Sequence, residues 1–122
     1  MAGRVHLRQR LKSFAHAFRG IGEMLQTESH ARIHGIATLL VVLLGFALTV
    51  DRFEWLALVL TIALVFGLEA VNTAFEALCD VASPDYHPQV RRAKDVAAGA
   101  VLIAAIAAVI VAALIFGHRL FG

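Results

Sequence analysis

With 122 residues, 60% of them hydrophobic, and a mean hydropathy of +0.78, the chain is too apolar for an ordinary soluble domain, where roughly 45–50% apolar is usual. Its formal net charge of +2 is too small to argue for a nucleic-acid partner, so no nucleic acid is expected. A single cysteine, Cys79, makes neither an internal disulfide nor a thiolate metal site. The length allows one domain. Residues 1–35 stay polar and basic, with Arg4, Arg8, Arg10, Lys12, Arg19 and Arg32, and do not read as a cleavable signal peptide. Within them, residues 7–29 are expected to be helical. Leu11, Phe14, Ala15, Phe18, Ile21 and Leu25 recur at spacings of three and four, and Arg8, Lys12 and Arg19 lie mostly off that stripe. A basic amphipathic helix suits an anionic membrane surface; packing on the rest of the protein is the competing reading.

Three uncharged runs follow, Ile33–Val50, Trp55–Leu68 and Val96–Gly117. The first and third approach or reach the roughly 17–25 residues that a membrane-spanning helix needs. The second is long enough only if its helix continues through GLEAVNTAFEALCD. The fold expected is therefore an all-α integral membrane protein. Transmembrane helices are placed at about 33–50, 54–80 and 93–117, preceded by the surface helix. Helices of a soluble bundle would need polar outer faces, and the third run has none. Its small residues (Ala97, Ala98, Gly99, Ala104, Ala105, Ala108, Ala112) would let helices approach closely. Phe53 and Trp55 read as an interfacial anchor, and Cys79 as a small buried residue. Residues 80–95 hold both prolines and read as a turn-rich connection. Arg91, Arg92 and Lys94 in this connection, with the basic residues of 1–35, place both segments on the cytoplasmic side. The C-terminus is then outside; His118 and Arg119 weaken that orientation only slightly.

The second run ends in an unusual way. At about 100° per residue, Glu69, Asn72, Glu76 and Asp80 share one helix face. Charged groups at membrane depth are expensive and rarely face lipid. The stripe must meet protein, water, metal or substrate. One reading is a structural polar seam neutralised by Lys94, Arg91 or Arg32. Another is a proton or cation site, for which hard oxygen ligands and an amide suit Mg²⁺. Glu28, four residues before Arg32, and the Lys94-Asp95 pair lie at the starts of the first and third membrane segments. Glu28, Glu76 and Asp95 with Lys94 would meet at the cytoplasmic interface, as a metal–polyphosphate complex asks. Phosphoryl transfer needs little beyond positioning and charge neutralisation. The chain has no GxxxxGK[ST] loop, GxGxxG, HRD or DFG, so it is no kinase of the P-loop or protein-kinase class. A small oligomeric channel or transporter subunit would also use acids at a helix end, but explains Glu28 and Lys94-Asp95 less well. A structural or assembly protein explains none of the acids. His30 and His34 are four apart and could share a helix face, which suits zinc, but no third ligand is in reach; interfacial hydrogen bonding is the favoured reading.

The segments RLKSFAHAFRGI, TESHARIH, LEAVNTAFEALCD and SPDYHPQVRRAKDVAAGAVLIAAI resemble the bacterial diacylglycerol kinase and undecaprenol kinase family of small membrane lipid kinases. The resemblance covers about Arg10 to Phe116. It implies a homotrimer of three-helix protomers that moves the γ-phosphate of ATP, with Mg²⁺, to the hydroxyl of a membrane lipid at the cytoplasmic face of the bacterial inner membrane, in active sites shared between neighbouring protomers. Carried over by motif, it implies Glu69 as the general base, supported by Asn72, and Glu28 and Glu76 as metal-holding carboxylates near the phosphates. Lys94 and Asp95 would contact nucleotide, with Asp85, Tyr86 and His87 in the loop beside it. Arg10, Lys12 and His16 fall in the surface-helix region that meets nucleotide and lipid head group. Diacylglycerol-type members tend to have an aromatic where His16 stands and a Trp where Phe18 stands. RLKSFAHAF, SPDYHP and AKDVAAGAVLIAAI look more like the undecaprenol-kinase branch, so undecaprenol is the expected lipid and diacylglycerol the alternative. Nothing in the chemistry of these residues separates the two, since both are long apolar chains bearing a hydroxyl.

Overall fold

The computed structural model describes residues 2–122 and consists of four α-helices: α1 (Ala2–Thr27), α2 (Ser29–Ala47), α3 (Arg52–Ala82) and α4 (Pro88–Phe121). The last three are each long and apolar enough to cross a membrane. Their boundaries follow from local chemistry. Only Glu28, in extended conformation, separates α1 from α2. The Arg32 guanidinium donates to the Gln26 carbonyl at 2.8 Å and the Leu25 carbonyl at 3.4 Å. It thereby satisfies carbonyls that the last turn of α1 leaves without helical partners. This uses Arg32 on backbone rather than on the acidic stripe.

At the end of α2, Thr49 N–H donates to Phe46 and Val50 N–H to Gly45. This is the paired terminal motif that normally places glycine at the left-handed position. Thr49 takes that position here, with φ 51°. Two residues on, Asp51 caps α3 and forms a reciprocal box with Glu54: Glu54 N–H donates to Asp51 Oδ1 at 2.8 Å, and Asp51 N–H to Glu54 Oε1 at 3.0 Å. From there α3 runs without interruption for 31 residues, through the whole of GLEAVNTAFEALCD.

The connection to α4 is shorter than the sequence suggested. The non-helical stretch is 83–87, not 80–95. His87 Nδ1 accepts from Gln89 N–H at 3.1 Å as an N-cap, and Pro88 occupies the first helical position, where its missing N–H costs nothing. Arg91, Arg92, Lys94 and Asp95 therefore lie on the first turns of a helix.

The most extensive interface is between α3 and α4. Val50, Leu58, Ile115 and Phe116 form the buried cluster, near the α2–α3 connection. There Trp55 lies against α2: a Cβ placed on Gly45 would meet its Cη2 at 2.7 Å, so only glycine permits this approach. The Phe46 and Trp55 rings are 4.8 Å apart and tilted by 51°, a favourable aromatic arrangement. Arg119, from the last turn of α4, bonds the Glu54 carboxylate and lies 3.6 Å from Asp51. Elsewhere large apolar side chains point outward, among them Leu40, Leu60, Ile103, Val109 and Leu114. In lipid that exposure carries no hydrophobic penalty, and helices satisfy the backbone internally.

Candidate active site

The acidic stripe is a gradient of burial along one face of α3. Glu69 is only 3% exposed and is the buried charged residue of the described chain. Asn72 and Glu76 are half-buried. Asp80, at the end of the stripe, has a side chain 69% exposed. A carboxylate buried as deeply as Glu69 needs a polar partner, and α2 supplies it: His34 Nδ1 lies 3.0 Å from Glu69 Oε2. The sequence did not pair these two residues. A signal was nonetheless present, because His34 is the one ionisable side chain in the run Ile33–Val50, and such residues in membrane segments face partners rather than lipid.

His30, His34, Glu69 and Asn72 line one side of a cleft of about 200 Å³, closed by Ala98, Val101, Leu102 and Ala105 of α4. The small α4 residues leave the space that the polar groups face. Asn72 Nδ2 donates to Glu76 Oε1 at 3.4 Å. Its carbonyl oxygen is buried with no hydrogen-bond partner, an arrangement that ordinarily implies a missing donor or cation. Adjoining this cleft is an apolar groove of about 190 Å³ between α2, α3 and α4, lined by Val41, Leu58, Ile62, Val65, Val109 and Ala112 among others. His34 and Ala105 belong to both spaces. A polar chamber thus opens onto a hydrocarbon-lined trough at the level of His34.

A second group gathers at the α3–α4 turn. Asp80, Asp85, Tyr86, His87, Arg91 and Lys94 line a depression of about 230 Å³. Lys94 Nζ bonds Asp80 Oδ1 at 2.6 Å, and Arg91 bonds Asp95 Oδ2 at 2.9 Å one helical turn on. Lys94 therefore neutralises the last acid of the stripe, and Glu69 is left to His34. Other expected site residues are not brought in within one chain. Arg10, Lys12 and His16 lie on the exposed surface of α1. Glu28 stands at the α1–α2 break, where its side chain makes no capping bond. Among the described residues no three of His, Cys, Asp and Glu converge on a point that could hold a metal, so the His30–His34 pair gains no third zinc ligand.

The amino-acid sequence that builds this arrangement is similar to those of known proteins. The family model for prokaryotic diacylglycerol kinase matches residues 15–116. The chain is 40% identical to the undecaprenol kinase of Bacillus subtilis (strain 168), over 96% of this chain and 95% of that protein. It is 36% identical to the diacylglycerol kinase of Escherichia coli (strain K12), over 82% of each. It is 41% identical to the diacylglycerol kinase of Synechocystis sp. (strain ATCC 27184 / PCC 6803 / Kazusa), over 83% of this chain and 58% of that protein. The molecule is a lipid kinase and a multi-pass membrane protein. It belongs to the prokaryotic diacylglycerol kinase family.

Proposed function

We propose that the chain transfers the γ-phosphate of ATP to the hydroxyl of undecaprenol, giving undecaprenyl phosphate. The observation that carries this reading is the junction of the polar cleft with the apolar groove at His34, beside the buried Glu69. A lipid alcohol presents the same junction, a hydroxyl on a hydrocarbon chain. With the tail along the groove, its hydroxyl reaches the cleft, and Glu69 is the base within it. The hydroxyl proton passes to Glu69, the oxygen forms its bond to the γ-phosphorus, and the bond from that phosphorus to the β-phosphate bridging oxygen breaks, releasing ADP. A base must lie within hydrogen-bond reach of the proton it takes; Asn72, one turn along α3, supports the site by offering its unpartnered carbonyl oxygen to a donor other than that proton, such as a bound water. Undecaprenol, rather than diacylglycerol, is favoured by the 40% identity across nearly the whole of the Bacillus subtilis enzyme.

The donor set suits Mg²⁺. Glu28 and Glu76 offer hard oxygens at a water-accessible end, and Mg²⁺ is usually held by one or two carboxylates plus substrate phosphates and waters. On this reading the metal arrives with its nucleotide. When bound, Mg²⁺ would neutralise charge on the transferring phosphate. Lys94, Asp95, Asp85, Tyr86 and His87 then contact nucleotide at the α3–α4 turn. His87 can do so through Nε2, since its Nδ1 caps α4. Arg10, Lys12 and His16 reach the nucleotide and head group from α1, which lies as an amphipathic helix on the cytoplasmic face of the inner membrane. They act across a homotrimer whose sites are shared between protomers, which accounts for their distance from the cleft within one chain. The N-terminus and the α3–α4 turn are cytoplasmic and the C-terminus outside.

The test is purified protein in lipid micelles with Mg²⁺ and γ-labelled ATP, offered undecaprenol and diacylglycerol side by side. Label entering undecaprenol preferentially is the expected result. Preference for diacylglycerol would keep the mechanism and reverse the substrate, and label in neither, with folded protein, would overturn the mechanism for these residues.

A further inference from the structure

We propose that His34 is a positioning residue for the base: it donates its Nδ1–H to Glu69 Oε2, fixing the carboxylate so that Oε1 faces the lipid hydroxyl. This rests on the assignment of Glu69 as the base. An ionised carboxylate only accepts hydrogen bonds, so the nitrogen 3.0 Å from Oε2 must carry the proton. Glu69 is 3% exposed, and water therefore does not compete for that bond. The side chain of His34 is itself 22% exposed and stands where cleft and groove meet. One turn on along the same helix in each case, Thr38 Oγ1 donates to the His34 carbonyl at 2.7 Å and Thr73 Oγ1 to the Glu69 carbonyl at 2.9 Å. The arrangement follows the general logic of a base oriented by a third group. The hydrogen bond selects one carboxylate oxygen and one rotamer, and the other oxygen is left for the substrate. It also crosses from α2 to α3, so the direction of the base depends on how those two helices are set against each other.

The experiment compares His34→Leu, His34→Asn, Glu69→Gln and the double variant His34→Leu/Glu69→Gln in the γ-label transfer assay. Helical content and melting are followed in the same micelles. His34→Leu is expected to lower kcat by about 10–100-fold, the usual size of the effect when an orienting partner is removed, with the KM for ATP unchanged. His34→Asn places an amide N–H near the Nδ1 position and is expected to recover most of the rate. In the Glu69→Gln background, His34→Leu is expected to add no further loss, because residues acting as a unit are not additive. A folded His34→Leu protein with full kcat, or a His34→Asn protein that is folded yet as slow as His34→Leu, overturns the positioning role and leaves the kinase reading intact. If His34→Leu does not fold, the rate of His34→Asn decides: a recovered kcat supports the role, a lost one overturns it. Full activity in Glu69→Gln would instead overturn the base assignment and, with it, this inference.

Discussion

The two ends of α3 are built on opposite terms. At the Arg52 end both acids find partners within the chain: Asp51 and Glu54 cap each other's backbone, Arg119 joins both, and Trp55 closes on Gly45 above the Val50–Leu58–Ile115–Phe116 cluster. At the Glu69 end the chain leaves groups for something else to meet: the Asn72 carbonyl oxygen has no donor, Glu28 makes no capping bond, and the cleft stands open. One end holds the helices together, and on the proposed mechanism the other keeps its polar groups available for chemistry. Stability and catalysis should therefore respond to different substitutions.

The largest effect belongs to the open end. Glu69→Gln should reduce lipid phosphorylation by at least about 100-fold, in line with loss of a general base, while ATP binding stays largely intact; labelled-phosphate transfer beside nucleotide binding checks this. Loss of ATP binding in step with the rate would sink the base role. Next, Glu76→Gln should raise the Mg²⁺ concentration for half-maximal rate by roughly tenfold or more, as for a disturbed metal environment, and a Mg²⁺ titration at saturating ATP reads it. The closed end should show the reverse pattern. Gly45→Val drives a side chain into Trp55 and should destabilise by about 1–3 kcal/mol, as overpacking does, seen as a lower melting temperature in detergent with kcat retained in the surviving protein. Arg119→Ala should lower the melting temperature by less and leave kcat alone; a fall in kcat at unchanged stability would break the division between the ends. Smallest is Thr49→Gly, which relieves a β-branched residue of left-handed backbone and should stabilise by up to about 1 kcal/mol, measured by the same melt.

Much of this was legible in the amino-acid order, and the rest was hidden for definable reasons. Three long apolar helices and the continuation of the second through the acids follow from periodicity and from the cost of charge in lipid. The start of α4 was placed too late because Tyr86-His87-Pro88 reads as a turn, whereas His87 and Pro88 are a cap and a first helical residue. The partner of Glu69 could not be read, because His34 lies on another helix. Their meeting is a matter of register. Gly45 and Trp55 fix α2 against α3 at one end. From that contact, the eleven residues back to His34 and the fourteen forward to Glu69 cover about 17 and 21 Å at 1.5 Å per residue. The pairing thus depends on a glycine and a tryptophan far from the site. The places of Arg10, Lys12 and His16 were hidden differently, since within one chain α1 leaves them on its exposed surface.

The unbroken length of α3 makes it a depth gauge. From Arg52 to Glu69 the helix rises about 26 Å, close to the roughly 30 Å hydrocarbon thickness of a typical bilayer. With its first turn tied to Arg119 at one face, the helix carries the carboxylate to a fixed height near the other. The hydroxyl of a lipid, however, floats with the leaflet. Membrane thickness then becomes a variable of the reaction, and the rate should pass through an optimum as the acyl chains of the surrounding vesicle are lengthened.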